Sequence, residues 1–251
     1  MEIKQEVNEK KSFPQTSDLF KTNVNYDLLM KEEIDKILKS NKKPSLLLHS
    51  CCAPCSSYVL KLLQKYFNIT VFFYNSNLYP SQEYLKREEE QRKLIKILNA
   101  EAKERFEAGK FEDAVFYETE IKVETTEFVP EEFYAFVKGY EKEFEGSPRC
   151  YLCYMLRLSK TGKVAKEKNY DYFCTTLTVS PYKNAHWINE VGKIISNKEN
   201  VKFLHSDFKK NDGYKKSIEY SKEYDLYRQD YCGCEFSLQA KVAKAEKLTA
   251  Q

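Results

Sequence analysis

Apolar positions in this chain follow two alternating rhythms. Leu28, Leu29, Ile34, Ile37 and Leu38 recur at helical spacing and predict a helix over 26–39. Pro44 separates it from the run Leu46-Leu47-Leu48, which predicts a buried strand over 45–49. An amphipathic segment over 58–66 follows as a helix, and the β-branched and aromatic run 69–74 predicts a second strand. The turn 75–80 leads into a long helix over 82–108, charged along one side. Residues 121–125 alternate in character and predict a third strand, and Pro130 opens a helix that ends near Gly139. Gly146-Ser147-Pro148 breaks the chain before a helix that carries Leu156, Leu158 and Val164. A fourth strand is predicted over 170–179, a helix over 186–195 and a fifth strand over 201–205. A lysine-rich segment then precedes a helix to Tyr224, and Tyr231-Cys232-Gly233-Cys234 interrupts the chain before a last helix to residue 247. Residues 1–24 are polar and patternless and are expected to form a mobile tail; residues 25–251 are expected to form a single α/β catalytic domain.

Strands that alternate with helices imply an α/β fold with a mostly parallel five-stranded sheet, helices on both faces and helical extensions. Such sheets, Rossmann-like or ATP-pyrophosphatase-like, bind ligands at the carboxyl ends of their strands, near the point where strand order reverses. Residues 51–55 follow the first strand directly, where that rule places a site.

Composition narrows the possibilities. Apolar residues make up 42% and charged residues 31%, enough for a packed core. A net charge of +3 does not by itself announce nucleic-acid binding. With 7 glycines in all, a glycine-rich phosphate-cradling loop is not expected. No stretch of about 18 apolar residues occurs, so no membrane-spanning helix is expected, and residues 1–11 are charged without an apolar signal core. A cytoplasmic location is therefore expected, where 8 cysteines point to metal binding or redox work more than to a disulfide framework.

Seven of those cysteines fall into three clusters: Cys51/Cys52/Cys55, Cys150/Cys153 and Cys232/Cys234. Cys174, inside a predicted strand, reads as a small buried hydrophobe. The first cluster lies at a predicted helix start, where unpaired N–H groups and the dipole end favour thiolate. A zinc site built from Cys52, Cys55, Cys150 and Cys153 is one reading, but about a hundred residues separate its halves and three thiols stay unused. A thioredoxin-like pair accounts for one C-x-x-C and not for three clusters. An iron–sulfur cluster needs four thiolates and leaves three for a second task. Cys232-Gly233-Cys234 can close a strained, easily reduced disulfide or chelate a metal, and the sequence leaves both open. His49 and His205 each end a predicted strand, where a proton donor or a packed side chain would fit; His186 reads as a capping or surface residue.

The segments His49-Ser50-Cys51-Cys52-Ala53-Pro54-Cys55-Ser56, Tyr79 to Arg87, Cys150 to Leu158, Thr175 to Pro181, Asp207-Phe208-Lys209-Lys210 and Tyr227 to Cys234 together resemble the QueH-type epoxyqueuosine reductases. The likeness runs from residue 45 to 238 and leaves out residues 1–40.

That resemblance implies a cobalamin-independent oxidoreductase that removes the epoxide oxygen of epoxyqueuosine at the tRNA wobble position, the last step of queuosine synthesis. Carried onto this chain, it makes Cys51, Cys52, Cys150 and Cys153 the ligands of a [4Fe–4S] cluster. Cys232 and Cys234 become a redox pair or, with Cys55, ligands of an additional iron ion. Some members of the family resembled have aspartate where Cys55 stands. The implied partners are tRNA and an external electron donor, with no membrane. Arg87, Arg157, Arg228, Lys209, Lys210, Tyr79, Tyr84 and Tyr231 are the candidate tRNA contacts, as charges for phosphate and rings for splayed bases. The alternative is an iron–sulfur-dependent tRNA sulfur-transferase on an ATP-pyrophosphatase-like fold. Such an enzyme should carry a Gly/Ser-rich loop after the first strand, and residues 51–55 are no such loop.

Overall fold

A computed structural model describes residues 24–109 and 119–249. The predicted tail lies outside these, apart from Val24. The first helix, α1 (Tyr26–Ser40), starts where the Asn25 side chain accepts from the Leu28 N–H at 3.3 Å, and ends where Asn41 turns left-handed at φ 52°. Then come β1 (Ser45–His49), α2 (Ala53–Leu63), β2 (Asn68–Phe73), α3 (Ser81–Glu107), β3 (Lys122–Thr125), α4 (Pro130–Val137) and α5 (Pro148–Glu167). After β4 (Tyr172–Thr175) and a 3-10 turn (Thr176–Val179) follow α6 (Ala185–Glu199), β5 (Lys202–Phe203), α7 (Gly213–Glu223) and α8 (Glu235–Thr249).

The five strands form one parallel sheet in the order β3-β2-β1-β4-β5. The chain steps outward from β1 to β3 on one side, then returns to lay β4 against the other edge of β1. Strand order therefore reverses between β1 and β4, where His49 and Thr175 stand in register. Successive side chains of β1 serve opposite faces. Leu46 and Leu48 join the core under α1, α2 and α3 with Met30, Ile34, Val59, Leu63 and Leu94. Leu47 joins the core under α5 and α6 with Phe173, Leu158, Trp187 and Val191. All three leucines of β1 are fully buried, and each contributes about 2 kcal/mol by leaving water.

Three boundaries differ from the sequence expectation. The helix α2 begins at Ala53, so Cys55 already lies in its first turn. The fourth strand ends at Thr175 because its hydroxyl accepts from the Leu177 N–H at 3.2 Å and tightens the next residues into a 3-10 turn. β5 keeps only two residues, although the Leu204 N–H still reaches Phe173 O at 2.9 Å.

Candidate metal and redox site

The cysteine loop leaves the carboxyl end of β1 at the reversal point. Cys52 is the extended N-cap of α2, with φ −171°, and Pro54 fixes the first turn. A buried polar cluster holds the loop from below: Ser50 and Ser56 hydroxyls donate to Gln91 Oε1 at 2.6 and 2.9 Å. The sulfurs of Cys51, Cys52 and Cys55 all lie within 4.8 Å of one another, and Cys51 and Cys52 are 3.8 Å apart. One metal ion can meet all three. Hydrogen bonds from the Cys52 and Cys55 thiols hold Cys51 well below the ordinary thiol range, with Arg157 and Lys183 adding to the effect against burial. Donation to Cys51 pushes Cys52 up to about 11 and Cys55 well up. Of the three, Cys51 is the thiol most favoured to ionise, at the positive end of a helix.

Cys150 and Cys153 lie in the first turns of α5, and the Gly146 N–H donates to Cys150 Sγ at 3.2 Å. Burial first, then the Cys232 sulfur, pushes Cys150 up to about 12. Burial also raises Cys153, with Arg157 opposing and Cys232 adding. Cys234 is pushed up to about 12 by burial and then by Cys232. Both arms therefore share one electrostatic neighbourhood, and Arg157 senses Cys153, Cys51 and Cys232 together. All eight cysteines are free thiols. Cys174 lies apart, buried, with its thiol donating to Leu204 O at 3.2 Å.

Three buried guanidiniums flank the thiols; Arg149, 3% exposed, acts on Cys150 and Cys234. Arg157, 2% exposed, donates from Nε to His49 Nε2 at 3.1 Å and from Nη2 to Asn75 Oδ1 at 2.7 Å. Arg87, 1% exposed, pairs with Glu83 at 2.7 Å and reaches Cys232 O at 3.4 Å; its Nη2 is buried without a partner. The Cys232–Cys234 turn packs directly on it. Gly233 takes φ +120°, and a Cβ there would sit 2.8 Å from Arg87 Nη1.

The other anticipated residues divide by depth. Tyr84 is buried, stacked on Phe128. Tyr79 and Tyr231 line the outside of the Cys232–Cys234 turn: the Tyr231 hydroxyl donates to Tyr79 O at 2.5 Å, and the Tyr79 N–H to Gly233 O at 2.8 Å. Lys210 and Arg228 are exposed, Arg228 bonding Ser221 Oγ at 3.1 Å, while half-buried Lys209 pairs with Asp207 at 2.7 Å. His49 is a packed residue, fully buried, and burial followed by the Arg157 charge pushes it down to about 3. His186 and His205 stack on Tyr26, away from the thiols.

Sequence reasoning missed two polar neighbours. Gln229 Nε2 donates to Cys52 Sγ at 3.0 Å. Lys183, half-buried after the 3-10 turn, has its charge opposed by burial but held up by Cys232, Cys51, Cys55 and Cys52. Both lie in or beside the quoted segments, which was the available signal.

Fold and site together define an α/β protein with a thiol-rich centre at the strand-order reversal, suited to a soft metal or to thiol redox chemistry. Residues 46–240 match the family Epoxyqueuosine reductase QueH. A protein of that name from Streptococcus pyogenes serotype M1 is 40% identical over 214 residues, covering 85% of this chain and 78% of that one. One from Staphylococcus epidermidis is 39% identical, covering 85% and 84%, and one from Thermotoga maritima 35% identical, covering 77% and 90%. The chain belongs to the epoxyqueuosine reductase QueH family. No helix among the described residues is long and apolar enough to cross a membrane.

Proposed function

We propose that this chain is a cytoplasmic oxidoreductase that converts epoxyqueuosine to queuosine in tRNA, without cobalamin, through residues 25–251 acting as one catalytic domain. The observation that supports this reading is the Cys51/Cys52/Cys55 trio at the sheet's reversal point, its sulfurs within 4.8 Å of one another, with Cys153 and Cys232 acting on the same buried Arg157 as Cys51. The donor set fits an iron–sulfur group: soft sulfur ligands, with buried positive charge that an anionic cluster would balance. Cys51, Cys52, Cys150 and Cys153 would hold a [4Fe–4S] cluster, and Cys55, Cys232 and Cys234 an additional iron ion. Such a group, when bound, supplies electrons singly from an external donor and supplies Lewis acidity.

The chain's own residues do the rest. Reduction of the epoxide to an alkene breaks two C–O bonds, consumes two electrons and two protons, and releases water. Where they do not hold that iron, Cys232 and Cys234 as a dithiol give both electrons and two protons by closing to a disulfide. Lys183 keeps an ammonium proton where the Cys232, Cys51, Cys55 and Cys52 sulfurs act on it. Tyr79 and Tyr231 offer faces to splayed bases, and Lys209, Lys210 and Arg228 offer charge to phosphate. Arg87 and Arg157 are buried against the thiols, and Tyr84 is buried in an apolar cluster with Phe73, Leu78 and Phe128. Expression in a bacterium whose own epoxyqueuosine reduction has been deleted should restore queuosine to its tRNA; tRNA that keeps epoxyqueuosine contradicts the proposal.

A further inference from the structure

A buried ion without a counter-ion is costly, so where Arg157 finds its negative partner matters. Its two nitrogen and oxygen acceptors, His49 Nε2 and Asn75 Oδ1, are both neutral. Asn75 carries no charge, and buried His49 accepts the guanidinium N–H on Nε2, which a doubly protonated ring could not do. Among the described residues no carboxylate lies within ion-pair distance of Arg157. Its charge faces sulfur instead: Cys153 stands one turn earlier on the same face of α5 and hydrogen-bonds it, and Cys51 and Cys232 act on it as well. Arg87 is the contrasting case, since Glu83 at 2.7 Å already balances its charge.

We propose that Arg157 is a positioning residue, the fixed counter-charge of the metal–sulfur centre, and that it sets how readily the centre accepts an electron. This inference rests on the iron–sulfur reading given above. Adding an electron adds negative charge, so a nearby cation favours the reduced form. The cation is held in place before that charge arrives. His49 sits on β1, and its ring reaches Thr175 Oγ1 of β4 at 2.8 Å; Asn75 is fastened to Ser50 O at 2.8 Å. The guanidinium is thus held through the end of β1 and the backbone of Ser50, the same stretch that carries Cys51 and Cys52. No reorganisation is needed when the charge changes, and for that reason its effect is large for a single residue.

The test is a redox titration of the reconstituted full chain, followed by visible absorption and electron paramagnetic resonance. R157Q should lower the one-electron reduction equilibrium at least tenfold, which is 59 mV. R157K, which keeps the charge, should stay within threefold of the wild type. Asn75→Asp should act in the same direction as R157Q, by placing a carboxylate where a neutral oxygen now stands 2.7 Å from Arg157. That variant decides the matter if R157Q fails to fold. Equal shifts in R157Q and R157K, or an unchanged potential in R157Q or in Asn75→Asp, overturn the proposal. A wild-type chain that takes up no iron and sulfide instead overturns the reading beneath it.

Discussion

Two groups meet His49 Nε2, Arg157 Nε at 3.1 Å and Tyr74 O at 3.2 Å, and the shorter contact comes from the donor that cannot change. A guanidinium in a protein does not give up its proton, so Nε2 must accept. The ring proton is then on Nδ1, which donates to Thr175 Oγ1 at 2.8 Å. His49 is therefore a neutral strut between β1, β4 and α5.

Acid stability should report this directly. The folded-state value of about 3 lies below the ordinary 6.5. Above pH 6.5 neither folded nor unfolded His49 is protonated, and the residue adds no pH dependence. Between 6.5 and 3 only the unfolded chain takes the proton, so stability falls with falling pH, by up to about 1.4 kcal/mol per unit. Chemical denaturation of the wild type and H49Q across that range should show a shallower slope in the variant. Parallel slopes contradict the assignment.

The division between centre and core is testable by substitution. Serine at Cys51, Cys52, Cys150 or Cys153 should remove most bound iron and reduce turnover by at least about a hundredfold. Cys174→Ser should keep its iron and cost about 1 kcal/mol of stability, because Cys174 only packs. Iron and acid-labile sulfide analysis with thermal melts separates the two outcomes.

Gly233 should resist any side chain. Its φ of +120° disfavours L-residues, and a Cβ would meet Leu78 Cδ2 at 2.5 Å as well as Arg87. G233A should cost about 1–3 kcal/mol of stability and at least tenfold in turnover. Wild-type values for both would contradict the packing described.

The role of Cys232 and Cys234 as electron donors predicts that C232S/C234S loses turnover even with excess external reductant. Full activity under those conditions would restrict the pair to no redox part at all.

Charge on the rim should govern tRNA affinity. K210Q/R228Q should weaken binding and lower the slope of log K against log salt by about 1. Binding titrations at several salt concentrations measure it, and an unchanged slope removes both residues from the contact.

Much of this was legible in the sequence, because the signals were local. The apolar run of β1, the cysteines after it and the C-x-x-C at the start of α5 each sit within a few residues of one another. The depth of Arg87 and Arg157 was not legible. An arginine on a helix looks alike whether it faces water or thiols, and the partners of Arg157 lie 82 and 108 residues away. The 3-10 turn after β4 was hidden for another reason. Thr175-Thr176-Leu177-Thr178-Val179 has strand composition, but a threonine hydroxyl captured the backbone.

The most direct test is to incubate the reconstituted chain, without oxygen, with epoxyqueuosine-bearing tRNA and a reductant, and then to weigh the released nucleosides. The account predicts a modified nucleoside lighter by one oxygen atom, formed only by iron-loaded protein. Unchanged epoxyqueuosine after many hours with iron-loaded protein would contradict it.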